Sequence, residues 1–168
     1  MSINMMCLKS FILVSLAIFM DYIKADSLPV ISCGGSALVK EVRLTGCSKY
    51  PCLLKKGKKF TLEYDFEGGE DSSTITNSVY GIINRVSLPF IGVNGAPACQ
   101  KTTPIDLRTG ARAINVPSCP IFSGQAYTYS NTFPILSIYP TTDVTVQYGA
   151  VDGRGEKIAC FIIPARIA

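Results

Sequence analysis

Seven cysteines punctuate the chain, and six of them, Cys33, Cys47, Cys52, Cys99, Cys119 and Cys160, lie beyond residue 25. Residues 1–25 read as a secretory signal peptide: Lys9 precedes an apolar run over 11–20, and Ala25 precedes a polar Asp26-Ser27 suited to cleavage. The run falls well short of the roughly 20 residues needed to span a bilayer, so it reads as a leader and not as an anchor. Cleavage would remove Cys7 and leave an even set in an oxidising compartment, which implies three disulfides. The count leaves their connectivity open. Spacing bears on it only in that Cys47 and Cys52 are close enough to staple one turn, while Cys33 and Cys160 bracket nearly the whole remaining chain.

Residues 26–168 suit a single domain with one sizeable core. Their pattern is all-β. Phe60, Leu62, Tyr64 and Phe66 alternate with Thr61, Glu63 and Asp65, giving one apolar and one wet face. Tyr127, Tyr129 and Phe133 alternate with Thr128, Ser130 and Thr132, and Val144, Val146 and Tyr148 with Thr145 and Gln147. Further strands are expected over 28–33, 38–44, 74–83 and 157–167, the last entered through a hairpin at Asp152-Gly153-Arg154-Gly155. About seven strands of this kind predict an immunoglobulin-like β-sandwich of two antiparallel sheets, although the immunoglobulin tryptophan is absent. The stretch 100–117 lacks alternation and is expected to be a long surface loop tied at its base by Cys99 and Cys119.

The chain contains no histidine. Ser-His-Asp and Cys-His catalysis and His-based zinc sites are thereby excluded in their usual forms, and no second cysteine pair matches Cys47 and Cys52 as a thiolate site. Glu67, Glu70 and Asp71 sit in a glycine turn where a solvated hairpin is the ordinary explanation, so no nucleophile–base pair is proposed and the chain reads as non-enzymatic, with no catalytic residue, cofactor or metal. The formal charge of +4, which becomes +3 without Lys9, Lys24 and Asp21, does not describe a nucleic-acid binder. No asparagine lies in an N-glycosylation acceptor. Lys55, Lys56, Lys58 and Lys59 form one basic cluster. A solvated turn is the favoured reading, and binding to anionic headgroups or sulfated glycans is the competing one.

Against that background, Cys119-Pro120-Ile121, Gly124, Tyr127-Thr128-Tyr129, Pro134-Ile135 and Tyr139-Pro140 resemble the signature of the ML domain (lipid-recognition) family of sterol carriers and mite group 2 allergens. Cys33-Gly34, Cys47, Pro51-Cys52, Lys56-Gly57, Leu88-Pro89-Phe90, Cys160 and Pro164 follow in the family's order, and the resemblance covers about residues 27–167. It implies disulfides Cys33–Cys160, Cys47–Cys52 and Cys99–Cys119, and two sheets enclosing a lipid cavity. It implies that Phe90, Ile135 and Tyr139 contact or gate a sterol or fatty acid, and that Tyr148 and Phe161 occupy cavity positions usually held by Trp. Leu62, Tyr64 and Phe133 complete the expected lining. The implied protein is a secreted monomer, with the lysosome as the other destination, that passes its ligand to a membrane or a second carrier across a lip at Val86, Leu88, Pro89, Phe90 and Ile91. Microbial-lipid recognition and semiochemical carriage are the family's other functions. The stretch between Cys99 and Cys119 is longer than in the sterol carriers. Ordinary sandwiches pack their sheets about 10 Å apart with no room for a ligand, so the expectation is a pair of splayed sheets around a standing hollow of about 300 Å³.

Overall fold

A computed structural model describes residues 27–111 and 119–168, so the expected leader over 1–25 lies outside the described residues. The seven expected strands are present as β1 (Ile31–Gly34), β2 (Leu38–Leu44), β4 (Lys59–Glu67), β5 (Thr76–Ile83), β8 (Ala126–Pro134), β9 (Thr142–Val151) and β10 (Lys157–Ile167). Three short strands join them: β3 (Cys52–Leu54), β6 (Val86–Pro89) and β7 (Thr102–Pro104). One sheet runs β1-β10-β9-β5-β6, with β3 also on β10, and the other runs β2-β4-β8-β7. All pairings are antiparallel except β3 with β10.

The alternation seen in the sequence is what lays these strands face to face. Along β4 the buried Leu62, Tyr64 and Phe66 point inward, and on β8 their cross-strand partners are Asn131, Tyr129 and Tyr127. The opposite face of the same sheet is a polar ladder. Arg43 donates to both Asp65 oxygens at 2.9 and 3.1 Å, Thr128 Oγ1 donates to Asp65 at 2.6 Å, and Ser130 Oγ donates to Glu63 at 3.1 Å. β10 is paired on both edges, with β1 reaching Ile162 and β3 starting at Ala165; Pro164, which has no N–H to give, falls in the gap between them. The Asp152 hairpin forms as expected: its carboxylate accepts from the Arg154 and Glu156 backbone N–H groups at 2.8 Å each, and Gly155 takes φ +84°.

The expected long loop is only partly a loop. Cys99–Lys101 form a turn of 3-10 helix, and Thr102–Pro104 then pair with β8. Thr102 is buried and its hydroxyl donates to the Ala98 carbonyl at 3.0 Å. These three residues are too few to display a period, and only the exposed edge of β8 makes them a strand. Residues 112–118 of that stretch lie outside the described residues.

The structure joins Cys33 to Cys160, Cys47 to Cys52 and Cys99 to Cys119, across sequence separations of 127, 5 and 20. Cross-link entropy grows with the enclosed loop, to about 5 kcal/mol for the longest and about 2 kcal/mol for the shortest. Urea unfolding under non-reducing conditions should therefore show a larger loss of stability for Cys33→Ala/Cys160→Ala than for Cys47→Ala/Cys52→Ala; the reverse order would refute loop closure as the main contribution.

Candidate functional site

The interior divides into two halves. At the end near the Asp152 hairpin, large rings from both sheets fill the gap: Tyr64 stacks on Tyr129 at 4.9 Å, Phe66 on Tyr127 at 5.5 Å and Tyr148 on Phe161 at 5.9 Å, while Tyr64 meets Phe161 edge-on at 5.2 Å across the sandwich. Towards the other end the inward residues turn aliphatic. There a wholly apolar cavity of about 20 Å³ lies among Leu62, Val79, Val93, Phe133, Val146 and Ile163, with Tyr148 and Phe90 also on its wall.

That volume corrects the expectation of a standing hollow. An empty void of about 300 Å³ would cost roughly 7 kcal/mol at about 24 cal/mol per Å³, comparable to the whole stability of a typical domain. The sheets relieve that cost by closing, and the side chains meet across the gap.

Beyond Phe90 lies a second space, an apolar groove of about 310 Å³ open to solvent and lined by Gly81, Ile83, Leu88, Ile91, Tyr139 and Val144, among others. Phe90 belongs to both spaces and separates them. Its ring packs edge-on against Phe133 at 5.7 Å and at a tilt against Tyr139 at 5.3 Å. Its backbone is held firmly, because Phe90 N donates to the Val79 carbonyl at 2.9 Å while its own carbonyl accepts from Val93 and Asn94. Asn94 Oδ1 in turn accepts from Val79 N at 2.8 Å. Tyr139 is tied across the groove, its hydroxyl accepting from Ile91 N at 3.2 Å. Moving the chain here would break four hydrogen bonds, whereas a turn of the Phe90 ring about its own torsions would leave them intact.

The expected site residues distribute as follows. Phe90 stands between the two spaces, Leu62, Phe133 and Tyr148 line the inner cavity, and Tyr139 lines the groove. Tyr64, Phe161 and Ile135 are buried in the surrounding core, behind the lining. In the lip, Val86, Leu88, Pro89 and Ile91 are exposed but Phe90 is buried, and the nearby Ile138 is 74% exposed. The Lys55 turn abuts this end of the sandwich: Gly57 N donates to the Ile135 carbonyl at 2.7 Å, and Lys56 N donates to Ala168 at 2.8 Å, one residue beyond the groove-lining Ile167. Sequence reasoning missed Val79, Val93 and Ile163, whose apolar character is plain but whose approach to one cavity depends on how the sheets are stacked. It also missed two buried amides, Asn77 and Asn131. Among the described residues no cluster of His, Cys, Asp and Glu could hold a metal ion, and no helix is long and apolar enough to cross a membrane.

Burial pushes the phenols of Tyr64, Tyr129 and Tyr148 well above the ordinary tyrosine range, and in Tyr64 and Tyr129 the neighbouring Tyr148 adds to the effect. A raised native pKa means that stability is fully present below the unfolded pKa of about 10 and is lost as pH climbs beyond it. Absorbance at 295 nm during an alkaline titration should show these three rings ionising only in the same cooperative step that unfolds the protein. Smooth titration of every tyrosine with an unchanged near-ultraviolet circular dichroism spectrum would contradict the packing described.

Comparison with known proteins gives a consistent picture. The family model described as the ML domain matches residues 27–167. The chain is 28% identical to the NPC intracellular cholesterol transporter 2 of Danio rerio, over 89% of this chain and 91% of the relative. It is 31% identical to the ecdysteroid-regulated 16 kDa protein of Manduca sexta, over 75% and 80% respectively. In fold it is similar to a Niemann-Pick type C2 protein from the Japanese carpenter ant, with a TM-score of 0.68 and 19% identity, covering 84% of this chain and 100% of the other.

Proposed function

The chain belongs to the ML domain family, and from that premise we propose that it is a secreted, non-enzymatic carrier that holds a sterol or fatty acid between its sheets and hands it on chemically unchanged. The observation that carries this reading is the pair of apolar spaces in line, one inside the sandwich and one open at its mouth, separated by the ring of Phe90. A ligand chain lying in the groove needs only that ring to turn and the two sheets to part at their aliphatic end. The opposite end stays shut, because the aromatic stack bridges the sheets there. The cost of opening is offset by burial of the ligand, at about 0.8 kcal/mol for each methylene. The resemblance to a cholesterol transporter supports the choice of ligand class.

The mouth also suits transfer. Val86, Leu88, Ile91 and Ile138 form an exposed apolar rim, and the lysine turn lies on the same end of the molecule. Apolar side chains that enter a bilayer surface beside lysines that meet anionic headgroups give the ligand a route that avoids water. This placement turns the glycan-binding reading of the lysines into a subsidiary one: the cluster serves the mouth.

Two measurements test the proposal. Delipidated protein should melt at a higher temperature in the presence of a sterol or fatty-acid series, since a ligand that binds only the native state stabilises it; an unchanged melting temperature across the whole series would sink the carrier reading. Transfer of a fluorescent fatty acid to anionic vesicles should slow several-fold when Leu88 and Ile91 are replaced by Asp, and again when Lys55, Lys56, Lys58 and Lys59 are replaced by Gln. Unaltered transfer rates would place the docking surface elsewhere.

A further inference from the structure

Regular pairing at the edge of the first sheet breaks at the residue that separates the two apolar spaces. β6 runs beside β5 as far as Pro89, opposite Tyr80. The next pair, Phe90 with Val79, is placed to exchange two hydrogen bonds, as alternate pairs of an antiparallel ladder do. Only one of the two forms, from Phe90 N to the Val79 carbonyl at 2.9 Å. The Phe90 carbonyl, which in a regular ladder would take the Val79 N–H, is turned away and accepts from Val93 N at 3.1 Å and Asn94 N at 2.9 Å. The chain leaves the sheet as a tight turn over 90–94 and rejoins β5 at Asn77, whose carbonyl accepts from Gly95 N at 2.8 Å and whose N–H donates to Ala96 at 2.9 Å.

The turn leaves Val79 N without its ladder partner, and a buried N–H without an acceptor is costly. Asn94 Oδ1 stands in for the missing carbonyl, accepting from Val79 N at 2.8 Å. The turn closed in this way furnishes walls to both spaces: Val93 lines the inner cavity, Ile91 the groove, and Phe90 each of them. Asn94 lines neither. One half-buried polar side chain, off the path of a ligand, fixes the residues that stand on it.

We propose that Asn94 is the positioning residue of the gate. By completing the β5 ladder it holds the backbone of residues 90–93 in place, so passage is confined to rotation of the Phe90 ring. The proposal rests on the lipid-carrier reading and adds to it what sets the rate of exchange. The turn keeps the same hydrogen bonds whether the interior is empty or filled. Removing the Asn94 amide therefore opens a second route, displacement of the chain, and lowers the barrier equally from both sides. Uptake and release accelerate together and the affinity stays where it was. A residue that merely supported the fold would weaken binding along with stability.

The test follows uptake by stopped-flow fluorescence on the delipidated, disulfide-intact protein. The probes are cis-parinaric acid, a fluorescent fatty acid, and dehydroergosterol, a fluorescent sterol, and the one the wild type takes up is used throughout. Release is followed by chasing with excess oleate or cholesterol. Asn94→Ala should raise both rate constants about fivefold, the weight of one hydrogen bond, with their ratio unchanged to within about twofold. Asn94→Asp, which keeps an acceptor oxygen in reach of Val79 N, should restore the wild-type rates. Asn94→Ser, whose hydroxyl falls a bond short, should repeat the alanine result and serves in its place should Asn94→Ala not fold. In the wild type the Val79 amide should resist hydrogen exchange. Unchanged rates in the shortened variants, faster release alone, no rescue by Asn94→Asp, or a freely exchanging Val79 amide in the wild type would each overturn the positioning role while leaving the carrier reading standing. If the wild type takes up neither probe, it is the carrier reading itself that falls.

Discussion

The contact on which the structure depends is the one between the two sheets at their aromatic end. Tyr64 and Tyr129 from one sheet and Tyr148 and Phe161 from the other form a continuous block of rings, each fully or almost fully buried. Ring pairs of this kind contribute beyond their buried area and have preferred geometries, so the block sets both the spacing and the angle of the sheets. The shortest ring contact between the two sheets, Tyr64 against Phe161 at 5.2 Å, lies in this block, and the sheets are clamped there. At the other end Val79, Val146 and Ile163 surround the small cavity with Leu62 and Phe133.

The same rings carry hydroxyls, and burying hydroxyls is costly unless they are bonded. The answer here is a chain of hydrogen bonds that leads from Lys101 at the edge to Tyr129 in the middle. It explains why the clamp is made mainly of tyrosine when phenylalanine would pack as well. The rings of these side chains hold the sheets together, and the hydroxyls of Tyr129 and Tyr148 are bonded to each other and to Asn131.

Much of this architecture is legible in the amino-acid sequence. Alternation over 60–66 and 127–133 assigns Tyr64, Phe66, Tyr127 and Tyr129 to an inward face, and the proline–cysteine motifs point to the family and through it to the disulfide pairing. Phe90 is marked as a gate by resemblance alone. What the structure adds is the position of its ring between two spaces. β7 escapes notice because Thr102–Pro104 have no pattern of their own, and Asn131 because a polar residue in an alternating strand looks like an outward one until its neighbours are counted.

Period-two patterning, six cysteines and turn glycines are local properties, and they are enough to specify two antiparallel sheets with a greasy interface. How far apart the sheets stand is not local. It follows from the summed volumes of side chains contributed by strands distant in sequence, and from the penalty on any space left unfilled. That is why a chain whose sequence announces a hollow sandwich closes to a cavity of about 20 Å³, and why the meeting of Asn77 with Tyr129, and of Lys101 with Asn131, emerges only once the two faces are laid together.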